Sequence, residues 1–176
     1  MPTELKEVIK ADVRRASVNV PDYVIEAAIH NGCRRFFSDS EVWIEPQSLD
    51  AEGRRIAVTA LEPDAFVCGV AEVRTKHERS IAFTWQGGQV CFERDIDALL
   101  DVDLVLCPTN TSIPTWAYEQ HKEAFVHAAV RDLKSQQGQP WFDPEGAGYH
   151  EGEYRHHLGI ARIQSMPKYI APNPFV

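Results

Sequence analysis

The chain has 176 residues, 44% of them hydrophobic, and a formal net charge of −8. That length allows one domain with a real core and would leave two cramped, and the acidic balance argues against a surface that grips nucleic-acid phosphates broadly. No run is long and apolar enough for a membrane span, and the opening MPTELKEVIK reads as a helix start without a signal-peptide apolar region, so synthesis and residence in the cytoplasm are expected.

The charge is unevenly placed. Residues 1–40 hold six basic and six acidic groups, residues 108–176 six and seven, and residues 41–107 six and thirteen. Two near-neutral ends therefore flank an acidic middle that carries −7 of the −8.

In chain order, Leu5, Ile9 and Val13 recur every four residues and predict a first helix over 3–15. Pro21 and the β-branched residues before it make an extended link. Ile25, Ala28, Ile29, Gly32, Cys33, Phe36 and Phe37 keep helical spacing and predict a second helix over 22–37. Gly32 on that apolar face implies a close backbone approach to another helix.

Beyond residue 42 the period changes from helical to alternating. Short strands are predicted at 41–44, 55–59, 67–73, 81–85, 90–92 and 103–107. Gln86-Gly87-Gly88-Gln89 is a hairpin signal. Together they make a β insert over 42–107, too small to be a secure second domain. Asp95, Asp97, Asp101 and Asp103 alternate near its end but lack the glycine and final glutamate of a helix-loop-helix calcium site, so they read as a solvated acidic loop.

Helices return after Pro108. Asn110, Thr111 and Ser112 offer caps, and a stripe from Trp116 through Phe125 to Leu133 predicts a third helix over 114–137. Then comes Gly138-Gln139-Pro140-Trp141-Phe142-Asp143-Pro144. Gly138 reads as a helix stop, Pro140 and Pro144 bar continuation, and Asp143 before Pro144 reads as an N-cap followed by a first-turn proline. Trp141 and Phe142 would be costly in water, so they are expected to wedge the flanking helices into an antiparallel pair. A fourth helix is predicted over 145–165. The remaining segment, 166–176, has three prolines and carries Tyr169, Ile170 and Phe175. It is expected to be extended, either packed on its own domain or docked on a neighbouring subunit. The expected fold is α+β, a single domain over 1–165: mainly a bundle of about four helices with a small inserted antiparallel β unit.

Motifs for chemistry are lacking. Cys33, Cys68, Cys91 and Cys107 have no paired spacing and read as reduced thiols. His121, His127, His150, His156 and His157 cluster late, but His156 and His157 point to different helix faces and no HExxH is present, so no metal site is assigned. With no GxSxG elbow and no glycine-rich phosphate loop, no catalytic residue and no cofactor are expected.

One resemblance covers roughly residues 1–165. Val20-Pro21-Asp22 leads the second helix, which continues through Ala27-Ala28 and Cys33-Arg34-Arg35-Phe36-Phe37 to Glu41-Val42-Trp43. Leu106-Cys107-Pro108 closes the β insert, Glu123-Ala124-Phe125 leads on to Leu133, and Gly138 to Pro144 forms a Pro-Trp turn before the last helix. In this arrangement the chain resembles the head-to-tail adaptor (connector) proteins of tailed bacteriophages. The resemblance implies a structural virion protein of the neck, in a ring of usually twelve copies beneath the portal. Its implied partners are the portal protein, downstream tail or nozzle proteins, its own copies, and genomic DNA passing without sequence-specific contact. It brings no catalytic residues. Tyr169, Ile170 and Phe175 are the residues expected to dock on portal or subunit, and the acidic insert faces either the lumen or the outside. The alternatives are another neck protein such as a tail terminator, or a small cytosolic enzyme whose site carries no motif.

Overall fold

The structure, a computed structural model, describes residues 2–76, 80–109 and 113–165, and side chains from residue 7 onward. Its helices are α1 (Pro2–Ala16), α2 (Asp22–Ser40), α3 (Thr115–Lys134) and α4 (Pro144–Ser165), and its strands are β1 (Ile44–Ala57), β2 (Ala65–Thr75), β3 (Thr84–Gln86) and β4 (Gln89–Pro108). The expected caps Asn110, Thr111 and Ser112, and the expected docking residues Tyr169, Ile170 and Phe175, lie outside the described residues.

The helical core forms where the apolar stripes of α2 and α3 meet. Ile25, Ile29, Cys33, Phe36 and Phe37 of α2 are buried against Ala124, Phe125, Ala128, Ala129 and Leu133 of α3, with Ile9 and Val13 of α1 closing one side. Phe36, Phe37 and Phe125 make a three-ring contact with centroids 5.0–5.8 Å apart. The close approach expected at Gly32 is there. A Cβ on Gly32 would lie 3.1 Å from both Ala128 Cβ and the Ala129 backbone nitrogen. Lys10 is almost wholly buried, and its ammonium ties α1 to α2 by reaching Glu26 at 2.7 Å and Asp22 at 3.3 Å.

The β region corrects the expected fold class. It is no small insert of short strands: β1 runs for 14 residues and β4 for 20. β4 is the spine of a four-stranded antiparallel sheet. β1 pairs along one edge, from Ile44↔Val105 to Ala57↔Gln89, and β2 (Ala65↔Pro108 to Thr75↔Leu100) and then β3 line the other. Two stretches explain the difference. Glu45–Glu52 is polar and contains Pro46, which lowers its strand propensity, yet it alternates in burial as an edge strand whose missing N–H at Pro46 is tolerated. The aspartates expected in a loop lie within β4, where Asp101 and Asp103 alternate with buried Leu100, Val102 and Leu104. The register shift opposite Gly53/Arg55 bends this long ladder. Ala51, Ile56, Val73, Val90, Phe92, Leu100 and Val102 form a second core within the sheet, and Trp43 packs against both cores.

The predicted hairpin is present. Gly87 and Gly88 have φ of 59° and 77°, and Trp85 pairs with Val90 across them. Two consecutive positive φ values are the twist that a tight two-residue turn needs. Helix limits shift modestly. α2 continues to Ser40, and α3 ends at Lys134, with Ser135 as its cap, before Gly138 is reached. Within α3 the backbone kinks at His121, whose buried ring sits 5.0 Å from Phe36.

Candidate functional site

The α3–α4 hairpin gathers most of the side chains with chemical potential. Its turn is built as the residue types require. The Asp143 N–H donates to the Lys134 carbonyl at 2.9 Å, ending α3, and Asp143 Oδ1 accepts the Gly146 N–H at 2.9 Å, capping α4 one residue before Pro144. Lys134 Nζ donates to the other carboxylate oxygen at 2.8 Å. The Lys134 hydrogen bond and the Gly146 N–H hold the Asp143 carboxyl below the usual carboxylate range.

Pro140 is exposed in this turn. Trp141 is half-buried against the helical core, and its indole N–H reaches Gln136 Oε1 at 3.2 Å. Phe142 does not join it: the ring is 41% exposed, beside a surface hollow of about 360 Å³ lined by Arg131, Pro144, Ala147 and Glu151. The wedge is therefore Trp141 alone. The Phe142 N–H is tied to the Gln139 carbonyl at 3.0 Å, and only one of two neighbouring rings in this turn reaches the core.

Along the hairpin, Glu151 of α4 lies among three guanidinium groups. Arg35 Nη2 reaches its two oxygens at 3.1 and 3.2 Å, Arg155 Nε one of them at 2.8 Å, and Arg131 Nε the other at 3.2 Å. Burial pushes this carboxyl up, but hydrogen bonds from Arg35 and Arg155 and the positive charge of Arg35 and Arg131 outweigh it and leave it below the usual range. Arg35 also stacks 4.5 Å over the ring of buried Tyr154, whose hydroxyl donates to Asp39 Oδ2 at 2.8 Å. This network joins α4 to α2.

The same two helices bring histidines together. His127 Nδ1 of α3 meets His150 Nδ1 of α4 at 2.8 Å, so one of the two rings donates and the other accepts. The His127 and His157 rings stack with centroids 5.7 Å apart and planes at 22°. One ligand atom each from His127, Glu153 and His157 lies within 4.8 Å of the others, and all three residues are half-buried. Burial, then the nearby charge of His157, lowers the His127 pKa against the opposing pull of Glu153 and Glu123. Burial and the charges of His127 and Lys134 push His150 down to about 4. Neutral imidazoles are the form that binds metals.

A second surface belongs to the sheet. The register sets Glu52 opposite Asp97, Ser48 opposite Asp101, and Glu72 opposite Asp103. Because alternate residues share a face, Asp50, Glu52, Glu72, Asp97, Asp101 and Asp103 line the side of the sheet that faces away from Leu100, Val102 and Leu104. Arg74 lies 2.8 Å from Asp103 on this stretch, and Arg162 of α4 borders a hollow shared with Glu72 and Asp103. Burial, with the charges of Glu72 and Asp101, still raises the Asp103 carboxyl above its ordinary value despite Arg74.

No protein-family model matches the sequence, and no curated protein matches it. Among the described residues, no helix is long and apolar enough to cross a membrane. Sequence reasoning passed over His127, His150, Glu153 and His157 as a group. The signal for three of them was present: positions 150, 153 and 157 follow the i, i+3, i+7 spacing of one helix face.

Proposed function

We propose that this chain is a structural virion protein, a head-to-tail adaptor whose copies form a ring, twelve by resemblance, beneath the portal of a tailed bacteriophage. The acidic face of the sheet carries the reading. With six carboxylates outnumbering the arginines near them, this wall is net acidic and repels phosphate, which suits a channel through which DNA must slide without adhering. The Pro-Trp turn supports it as a rigid helix hairpin of the kind the resemblance implies. The exposed apolar side chains of α4, Tyr149, Ile160 and Ile163, support it as material for contacts between proteins. In this role the protein lies in the virion neck, meets the portal, tail or nozzle proteins and its own copies, and turns over no substrate.

Light scattering of the purified chain, alone and with portal, tests the proposal, followed by negative-stain imaging of the mixture. A ring, formed alone or only on portal, is the expected result. A monomer that leaves portal unaltered at micromolar concentrations of both would overturn it.

A further inference from the structure

We infer that His127, Glu153 and His157 form a binding site for one divalent transition-metal ion, with Zn²⁺ the best-matched, which clips α3 to α4. The site is independent of the adaptor reading. Its residues come from two helices. Glu153 and His157, four apart, share a face of α4, and His127 comes across from α3. Two imidazoles and one carboxylate are a borderline-soft donor set, which favours zinc and its neighbours over magnesium or calcium, which prefer all-oxygen ligands.

The geometry is close to that of a bound site. Bonds to zinc of about 2.0–2.2 Å need the ligand atoms nearer to one another than the 4.8 Å within which they now lie. A bound ion would draw them together through rotation of these half-buried side chains. The His150 contact already occupies Nδ1 of His127, which restrains that ring and leaves Nε2 for a further partner. Tyr149 borders the same cluster, its ring 6.3 Å from His127 and 5.2 Å from His150. The fourth metal position is left to solvent. The ion would sit on helices already joined by the Pro-Trp turn, so its effect is to stiffen the hairpin rather than to create it.

The test uses the full chain without a polyhistidine tag. Zn²⁺ titration by calorimetry should give one ion per chain, and the melting temperature should rise with Zn²⁺ but not with Mg²⁺. Co²⁺ should give the visible absorption of a bound, low-coordinate ion, bleached by added Zn²⁺. Glu153→Gln and His157→Gln should each weaken Zn²⁺ binding by about tenfold or more, a loss at least as large as that expected from altering an outer-shell partner. His156→Gln, at an exposed neighbouring position, should leave it unchanged. The substituted residues are half-buried or exposed, and far-ultraviolet circular dichroism without metal checks that each variant is folded. Absence of one-to-one Zn²⁺ binding by the wild-type chain would overturn the inference. So would equal affinity in Glu153→Gln, His157→Gln and His156→Gln. Ring formation with portal is scored separately, so either idea can fail without the other.

Discussion

Replacing Gly32 with alanine should destabilise the protein, although alanine is the better helix former. The added Cβ would meet Ala128 Cβ and the Ala129 nitrogen at 3.1 Å and the Ala128 carbonyl carbon at 3.4 Å. Two of those atoms are helix backbone, which can retreat only if α3 moves as a unit. Overpacking of this kind costs about 1–3 kcal/mol, while glycine-to-alanine inside a helix returns about 0.8–1.0 kcal/mol. The net loss is then up to roughly 2 kcal/mol.

Gly152 supplies the control. It lies exposed within α4, and apart from its chain neighbours and the backbone of its own helix a Cβ there meets no atom within 4 Å. Gly152→Ala should therefore keep the propensity gain and stabilise by up to about 1 kcal/mol. Both substitutions carry the same propensity effect, so the gap between them isolates the overpacking cost, about 1–3 kcal/mol. Urea unfolding at fixed protein concentration measures it from the midpoints, provided the slopes agree. Equal stability of the two variants would refute a backbone contact between α2 and α3 at Gly32.

Other perturbations test the remaining contacts. Phe125→Ala removes a fully buried ring that touches Phe36 and Phe37, and urea unfolding should show a loss of about 3–5 kcal/mol. Tyr154→Phe deletes the hydrogen bond to the Asp39 carboxylate but keeps the ring under Arg35, so the same assay should show a smaller loss of about 1.5–3 kcal/mol. Asp143 has a carboxyl lowered in the folded state by Lys134 and the Gly146 N–H, so its contribution is present above the unfolded-state value and is lost as pH falls through the folded one. Thermal melts should find wild type more stable than Asp143→Asn by a constant margin near neutrality, closing below pH about 4. A margin unchanged down to pH about 2 would contradict that assignment.

The helical core was legible in the sequence because helical spacing is a local property. Ile25, Ile29, Phe36 and Phe37 declare one face of α2 without reference to any partner, and Gly32 marked where that face would touch backbone. The sheet was less legible because strand identity there depends on pairing more than on propensity. Glu45–Glu52 has few β-formers, and it is a strand because β4 lies beside it, about fifty residues away along the chain. The aspartates of β4 misled for a related reason. Read alone, four alternating acids suggest solvent. Read with the apolar residues between Asp101 and Asp103 and on either side of them, the same alternation gives the period of a half-buried strand.

The histidine group stood between these cases. Its α4 members share a helix face that spacing alone reveals, but the member from α3 becomes visible only through the turn. Once Asp143 is fixed as the cap of α4 and bound to Lys134 at the mouth of the hairpin, the two helices run back from that point side by side. Seven residues, about two helical turns, before Lys134 is His127, and seven after Asp143 is His150. Those two rings meet at 2.8 Å. The residues of the turn thus set which side chains face one another two turns away, and from His150 the face continues to Glu153 and His157. A scaffold feature that carries no chemistry of its own therefore determines where the chain assembles its densest set of metal-ligand side chains among the described residues.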